Sequence, residues 1–199
     1  MATSVEAAFK ELLERQGLTP DQSDVARKRI PTITDFFANN LAMAERVFTM
    51  GSYARGTLCR TERDLDLLAP LAPFSPDGYW ERYKDDSRAF LYWVRGLLND
   101  RYYATNVSAK QVAVWLDFST VVAEVAPCFP RKGGGYLMPN GNSGWMKTNP
   151  PFHAKLIADA DQAHGNRLKP LIRLIKYWNI ANGHHLKSFH VEMIVTQMW

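Results

Sequence analysis

The spacing of apolar residues predicts helices at both ends of the chain and through its middle. Between 77 and 100, apolar residues recur every three or four positions, the period of a helix with one buried face. The predicted core stripe of this single helix is Phe90, Leu91, Val94, Leu97 and Leu98. Two further helices are predicted near the start, one to about Arg15 and one from about Pro20 to Arg46, in which Pro31 predicts a kink or break.

Short apolar runs bounded by Gly, Ser and Pro predict strands between these helices. The predicted strands read RVFTM (46–50), DLDLLAPL (64–71), QVAVWLDF (111–118) and VVAEVAPCF (121–129). Residues 130–150 are rich in Gly, Pro and Asn, and this composition predicts an irregular connection. From about Pro151 the pattern is helical again, with Lys169, Arg173 and Lys176 on a narrow side away from the apolar residues.

These elements predict an α+β architecture rather than regular βαβ units. We expect a small mixed sheet flanked by helices within residues 1–150, followed by a helical C-terminal lobe over residues 151–199. The sequence stops within SFHVEMIVTQMW, which has the pattern of an unfinished helix. We therefore expect this lobe to be incomplete and the chain to be truncated.

Composition adds few restrictions on function. The 199 residues are 46% hydrophobic and 12% aromatic, enough for a proper core, and their net charge of +4 is compatible with an anionic ligand or with an ordinary protein. Cys59 and Cys128 lie far apart without a C-x-x-C pair, so we expect reduced thiols and a cytoplasmic location. No run of about 18 apolar residues occurs, so no membrane span is expected.

Asp64 and Asp66 are the first candidates for chemistry. Residues two apart on a strand share a face, so the two backbones lie about 6.6 Å apart and both carboxylates point the same way. Ionised carboxylates at that separation repel by about 2.5 kcal/mol at an effective dielectric constant of about 20. A divalent cation with oxygen ligands would offset this repulsion. The alternative is that Asp64 lies at a wet strand end and pairs with Arg60 or Arg63.

Two further features accompany this pair. Glu124 is a lone acid among Val and Ala in a strand that should be mostly buried, where an unpaired carboxylate is costly. An edge strand with Glu124 facing water is the alternative, and Asp117 is the rival third acid, although it looks like a residue beside a turn. Gly51 and Ser52 end the first strand, where a Gly permits close backbone approach and free N–H groups can bind phosphate; a plain tight turn with a Ser cap is the alternative.

The order of these motifs resembles the DNA polymerase β-like nucleotidyltransferase superfamily. GS is followed by D-L-D and then by a carboxylate shortly before a proline. GWMKTNPPFHAKLI, LKPLIRLIKYWN and LKSFHVEMIV further resemble the cGAS/DncV-like nucleotidyltransferases of antiphage defence, which include second-messenger oligonucleotide synthetases. The resemblance covers roughly residues 45–198.

The resemblance implies a role for each matching residue. Asp64, Asp66 and Glu124 would be catalytic and hold two Mg²⁺ (or Mn²⁺) ions, although this third position is more often Asp in such enzymes. The implied nucleotide-binding residues are Gly51 and Ser52 on the triphosphate, Lys176 and Ser188 on the phosphate tail, and Phe189 stacked on a base. Each has an alternative: Lys176 as a solvated cation, Ser188 as a helix N-cap, Phe189 as a core residue.

The implied activity is metal-dependent joining of nucleoside triphosphates, ATP and others, into a cyclic di- or oligonucleotide second messenger with release of pyrophosphate. CCA-adding and poly(A) enzymes share GSYARGT and the acidic pattern, so extension of an RNA 3′ end remains an alternative. An inactive nucleotide-binding or partner-regulating module is the other. A net charge of +4 offers little basic surface for RNA, so nucleic acid is not an expected partner, whereas a regulatory protein partner is.

Three groups of residues are not assigned to the site. His184 and His185 are adjacent and lack the spacing of a zinc pair, so they are expected in a loop. Gly133 to Gly135 are interpreted as a surface linker, with flexing over a bound nucleotide as the alternative. Lys169 and Arg173 are expected on a solvated face.

Overall fold

The structure is a computed structural model that describes residues 4–198. Its helices are α1 (Val5–Arg15), α2 (Pro20–Asn40), α3 (Gly51–Arg55), α4 (Tyr79–Tyr83), α5 (Ser87–Arg101), α6 (Pro150–Ala163), α7 (Leu168–Ala181) and α8 (Ser188–Met198). Its strands are β1 (Phe48–Thr49), β2 (Asp64–Pro70), β3 (Asn106–Lys110), β4 (Ala113–Asp117), β5 (Val122–Pro130), β6 (Tyr136–Pro139) and β7 (Trp145–Thr148). Within these bounds, no helix is both long enough and apolar enough to cross a membrane.

One mixed sheet organises the first part of the chain. Its strand order is β1-β2-β5-β4-β3, and the hairpin of β6 and β7 extends from the end of β5. β2 and β5 are parallel, while the other pairs are antiparallel. α2 and α5 pack on one face of the sheet through Ile33, Phe37, Phe90, Val94 and Leu98. The predicted small mixed sheet flanked by helices is thus confirmed.

Two predicted helix boundaries are wrong. α2 ends at Asn40, not at Arg46. It also continues unbroken through Pro31, because burying Ile33 and Phe37 offsets the one hydrogen bond that a proline removes. The predicted helix over 77–100 is two helices, since Asp86 accepts hydrogen bonds of 3.0 Å from the N–H groups of Arg88 and Ala89 and so begins α5 anew.

The predicted irregular connection over 130–150 is also wrong, because it contains the β6–β7 hairpin. The Gly and Asn residues that suggested irregularity occupy the turns at its two ends, 131–135 and 140–144. Gly135 has φ of 71°, and a Cβ there would lie 2.6 Å from the carbonyl oxygen of Thr148, so a side chain would push the strands apart. β3, which the pattern did not predict, is an edge strand on β4.

α6, α7 and α8 share a separate small core. It consists of Ile157, Leu168, Ile172, Val191 and Val195. The predicted solvated cations of α7 have partners: Lys169 lies 3.6 Å from Asp161, and Arg173 donates a hydrogen bond of 2.9 Å to the carbonyl of Leu13 in α1. The three helices α6, α7 and α8 confirm the prediction that this region is helical. The division into residues 1–150 and 151–199 stays a prediction.

Candidate active site

The three predicted acids line one cavity of about 340 Å³. In the parallel β2–β5 pair, Asp66 lies opposite Glu124, so the two side chains leave the sheet on the same face. Asp64 shares that face two residues earlier. Asp117 does not line the cavity; its carboxylate is exposed and accepts a hydrogen bond of 2.9 Å from the N–H of Ser119 in the following turn. The other residues in the wall are Ser52, Arg55, Glu62, His184, Lys187, Ser188, Phe189 and Glu192.

Gly51 holds the backbone of the β1–α3 turn directly against Asp66. Its φ is 65°, and a Cβ there would overlap Oδ2 and Cγ of Asp66 and lie 2.9 Å from its Cβ. The preceding N–H, that of Met50, donates a hydrogen bond of 2.8 Å to the Asp66 carbonyl. Ser52, the next residue, is buried in the cavity wall. Only glycine therefore fits this position without moving Asp66.

Burial and mutual repulsion make the three acids hard to ionise. Burial first, and then the charge of Asp64, raises the pKa of Asp66 to about 7. Burial and the charges of Asp66 and Asp64 raise the pKa of Glu124 to about 8, although Lys110 opposes this. The pKa of Asp64 is raised by burial and by Glu62. The nearby cations thus do not balance these carboxylates.

The donor set fits a hard divalent cation. Carboxylate oxygens are what Mg²⁺ and similar ions prefer, and three of the carboxylates that line this cavity have no ion-pair partner among the described residues. Among residues 4–198, no three or more Asp, Glu, His or Cys side chains are grouped so that they could hold a metal ion by themselves. Mg²⁺ typically takes only one or two protein carboxylates and completes its shell with water and phosphate oxygens, so an open arrangement suits it.

A second cavity of about 710 Å³ adjoins the first and shares Arg55, Asp66 and Phe189 with it. The far wall includes Arg131, Gly133, Gly134, Lys147, Asn149 and His153. The glycine turn interpreted as a surface linker therefore forms part of a cavity wall. His184 and His185 do lie in the loop before α8, as predicted, and His184 reaches the wall of the acid-lined cavity.

Phe189 stands between the two cavities and is not a core residue. Its side chain is 39% exposed. The centroid of the His153 ring lies 5.2 Å from that of the Phe189 ring. The guanidinium carbon of Arg55 lies 5.5 Å from the Phe189 ring centroid. An aromatic face so placed can stack on a planar ligand in either cavity.

Lys176 is not a solvated cation, and it lines neither of the two cavities. It is fully buried, and its ammonium lies 2.7 Å from Glu62 and 3.2 Å from Glu192 while donating to the Thr57 carbonyl at 3.0 Å. Ser188 is in the wall, and its hydroxyl donates to Glu62 instead of capping α8. The structure therefore brings the other predicted site residues to the two cavities and places Lys176 one layer behind them.

Arg55, Glu62 and Glu192 are wall residues that sequence reasoning did not select. Arg55 Nε lies 2.5 Å from Glu192 Oε2, and the Thr57 hydroxyl donates to Glu192 Oε1 at 2.8 Å, so α8 is tied to the segment after β1. Glu192 could have been selected from the sequence, because it is a lone acid among apolar residues in SFHVEMIV, and the same feature identified Glu124. Nothing local marked Glu62.

The sheet and its acid-lined cavity define a nucleotidyltransferase fold. Elizabethkingia meningoseptica CdnE, a cyclic dinucleotide synthase solved with GTP and Apcpp, matches with a TM-score of 0.76 at 19% identity over 98% of this chain and 75% of that one. E. coli MS115-1 CdnC, solved with ATP, matches with a TM-score of 0.73 at 18% identity over 96% of this chain and 63% of that one. CdnC is also solved in a complex with HORMA-deltaN.

The chain belongs to the Second Messenger Oligonucleotide or Dinucleotide Synthetase domain family, whose model matches residues 3–160. A cyclic AMP-AMP-AMP synthase from an Acinetobacter species is 29% identical over 162 residues, which are 75% of this chain and 45% of that protein. The chain thus spans less than half the length of this curated relative. The resemblance predicted from GS, D-L-D and the downstream motifs is confirmed.

Proposed function

We propose that the chain is a metal-dependent nucleotidyltransferase that joins nucleoside triphosphates into a cyclic di- or oligonucleotide second messenger used in antiphage defence. The observation that carries this proposal is the convergence of Asp64, Asp66 and Glu124 on one cavity beside the Gly51 turn. Family membership supports the reaction class, and the cyclic AMP-AMP-AMP synthase supports ATP as one substrate. Pyrophosphate is the other product.

The three acids would hold Mg²⁺ or Mn²⁺. When bound, such ions lower the pKa of an attacking ribose hydroxyl and stabilise the departing pyrophosphate. The chain's own residues bind and orient the substrates: Gly51 allows close approach beside Asp66, and Phe189 offers its ring to a base. Most of the rate gain then comes from positioning and electrostatics, and no protein nucleophile is required.

Three further expectations belong to the same proposal. Residues 1–150 would form the nucleotidyltransferase core and residues 151–199 a helical lobe that supplies Ser188 and Phe189. The protein would work in the cytoplasm. CdnC, which has a related fold, is solved in a complex with HORMA-deltaN, and this supports a regulatory protein partner for the chain.

The test is incubation of the 199-residue chain with radiolabelled nucleoside triphosphates and Mg²⁺ or Mn²⁺, followed by chromatography of the products. Short cyclic or linear oligonucleotides with pyrophosphate release are expected. Asp66→Ala should abolish them, whereas Asp159→Ala, which removes an exposed carboxylate on α6, should not. Lengthening of an added RNA would support the 3′-end enzyme instead, and nucleotide binding without pyrophosphate release would support an inactive module.

A further inference from the structure

Glu62 stands between the buried ammonium of Lys176 and the acid-lined cavity. It lies in the irregular segment after α3, two residues before Asp64, and its side chain is 15% exposed. It forms part of the cavity wall, as does Ser188, whereas Lys176 does not line this cavity. A molecule in the cavity therefore contacts Lys176 only by replacing one of its two partners in the wall, Glu62 or Glu192.

The carboxylate of Glu62 is held by two side chains, a hydroxyl and an ammonium group, which could equally bind another anion. Oε1 accepts a hydrogen bond from the Ser188 hydroxyl, and Oε2 lies 2.7 Å from the Lys176 ammonium. Oε2 nevertheless makes no hydrogen bond, although it is buried from solvent. The contact with Lys176 is thus a close ion pair without hydrogen-bond geometry, so Glu62 is held by one directed hydrogen bond, from Ser188, and by this ion pair.

Glu192 provides the contrast, because it shares the same lysine and is held much more completely. It is fully buried, pairs with Arg55 at 2.5 Å and accepts from Thr57 at 2.8 Å in addition to Lys176 at 3.2 Å. If Glu62 left, Lys176 would keep Glu192 and the Thr57 carbonyl as partners. Release of Glu62 therefore does not leave a buried lysine unpaired.

We infer that Glu62 is an internal competitor of the substrate, a carboxylate that occupies the position in which a phosphate group of the nucleoside triphosphate contacts Lys176 and Ser188. The inference rests on the proposed function, because it takes a triphosphate to be the ligand. A triphosphate carries more charge and more acceptor oxygens than one carboxylate, so it can replace Glu62. Glu62 thereby sets substrate affinity, and its movement accompanies binding.

The test is calorimetric titration of wild type and Glu62→Gln with inorganic tripolyphosphate in Mg²⁺. This probe has no base, so stacking on Phe189 does not contribute. Gln cannot compete as an anion, and we expect about tenfold tighter binding than in wild type. The matched control is Glu81→Gln, which removes the same charge from an exposed pair with Lys84 outside the cavities and should leave the affinity unchanged.

Equal or weaker binding by a folded Glu62→Gln protein would overturn the inference. Should that variant fail to fold, a crystal structure of wild type with tripolyphosphate decides: a phosphate oxygen on Lys176 and Ser188 is expected, and Glu62 still holding both would refute it. Pyrophosphate release by wild type tests the proposed function separately. Tighter binding by Glu62→Gln without any release in wild type would refute that function and leave Glu62 as the competitor.

Discussion

Gly51→Ala is the smallest change that should disturb the three acids of the cavity without removing any of them. The added Cβ would overlap the carboxylate of Asp66, so that side chain must rotate or the β1–α3 turn must separate from β2. The left-handed backbone at φ of 65° adds a cost of about 1–2 kcal/mol for any residue with a Cβ. The overlap with Asp66 should lower the activity, whereas the cost of the left-handed backbone should lower the stability.

Gly56→Ala separates these effects, because Gly56 closes the same helix with φ of 72°. A Cβ there meets nothing closer than the Lys169 side chain at 3.7 Å, which is ordinary contact. Gly56→Ala should therefore lose the same roughly 1–2 kcal/mol of stability while Asp66 stays in place. Displacement of a catalytic group by about 1 Å can reduce the rate by about 100-fold, and we expect at least that loss for Gly51→Ala.

The assay is pyrophosphate release at saturating Mg²⁺, with thermal unfolding of each variant measured in parallel. Gly51→Ala should lose kcat/KM by about 100-fold or more, and Gly56→Ala should remain close to wild type. Wild-type kcat/KM in Gly51→Ala would show that the contact with Asp66 does not matter. An equal loss in both variants would show that backbone strain, rather than the clash, is responsible.

Two other predictions concern the acids themselves. Since the pKa values of Asp66 and Glu124 are about 7 and 8 in the folded protein and lower in the unfolded chain, folding favours proton uptake, and the metal-free protein should lose thermal stability as pH rises from about 4 to 8. Asp66→Asn should make the thermal stability depend less on pH. Mg²⁺ should stabilise wild type more at pH 8 than at pH 5. A thermal stability that instead rises from pH 4 to pH 8 would contradict the raised pKa values. Glu124→Gln should reduce pyrophosphate release strongly while Asp117→Asn should not, and the reverse result would move the third ligand role to Asp117.

The sequence predicted the site well where local periodicity was enough. Alternation on β2 placed Asp64 and Asp66 on one face, and the lone acid in an apolar run identified Glu124. What no local pattern contained was the parallel register that sets Asp66 opposite Glu124. Strand register depends on contacts between segments far apart in sequence, so neither strand by itself determines that the three acids meet.

Lys176 shows a different case: the resemblance predicted it on the phosphate tail of a nucleotide, with a solvated cation as the alternative, and the fold buries it completely. The helical repeat put it beside Lys169 and Arg173, which suggested a solvated basic side. In the fold Lys169 lies 3.6 Å from Asp161 on the preceding helix, Arg173 donates to the Leu13 carbonyl in α1, and Lys176 lies 2.7 Å from Glu62 before β2. A helix can bury a basic face when other segments of the chain supply oxygen atoms to pair with its cations. The sequence of the helix alone does not identify those segments.

The cavity contains two sets of acids that the sequence cannot tell apart and that the structure separates by their partners. Glu62 and Glu192 have internal cations, Lys176 and Arg55, at ion-pair distance. Asp64, Asp66 and Glu124 have no such ion pair among the described residues, and burial, followed by the charges of neighbouring carboxylates, raises their pKa values. The first set joins α3, α7 and α8, while the second is neutralised by protons or by positive charge from outside the chain. Under the proposed function, a metal ion that arrives with an anionic triphosphate would supply that charge and let the substrate approach a cavity that would otherwise repel it.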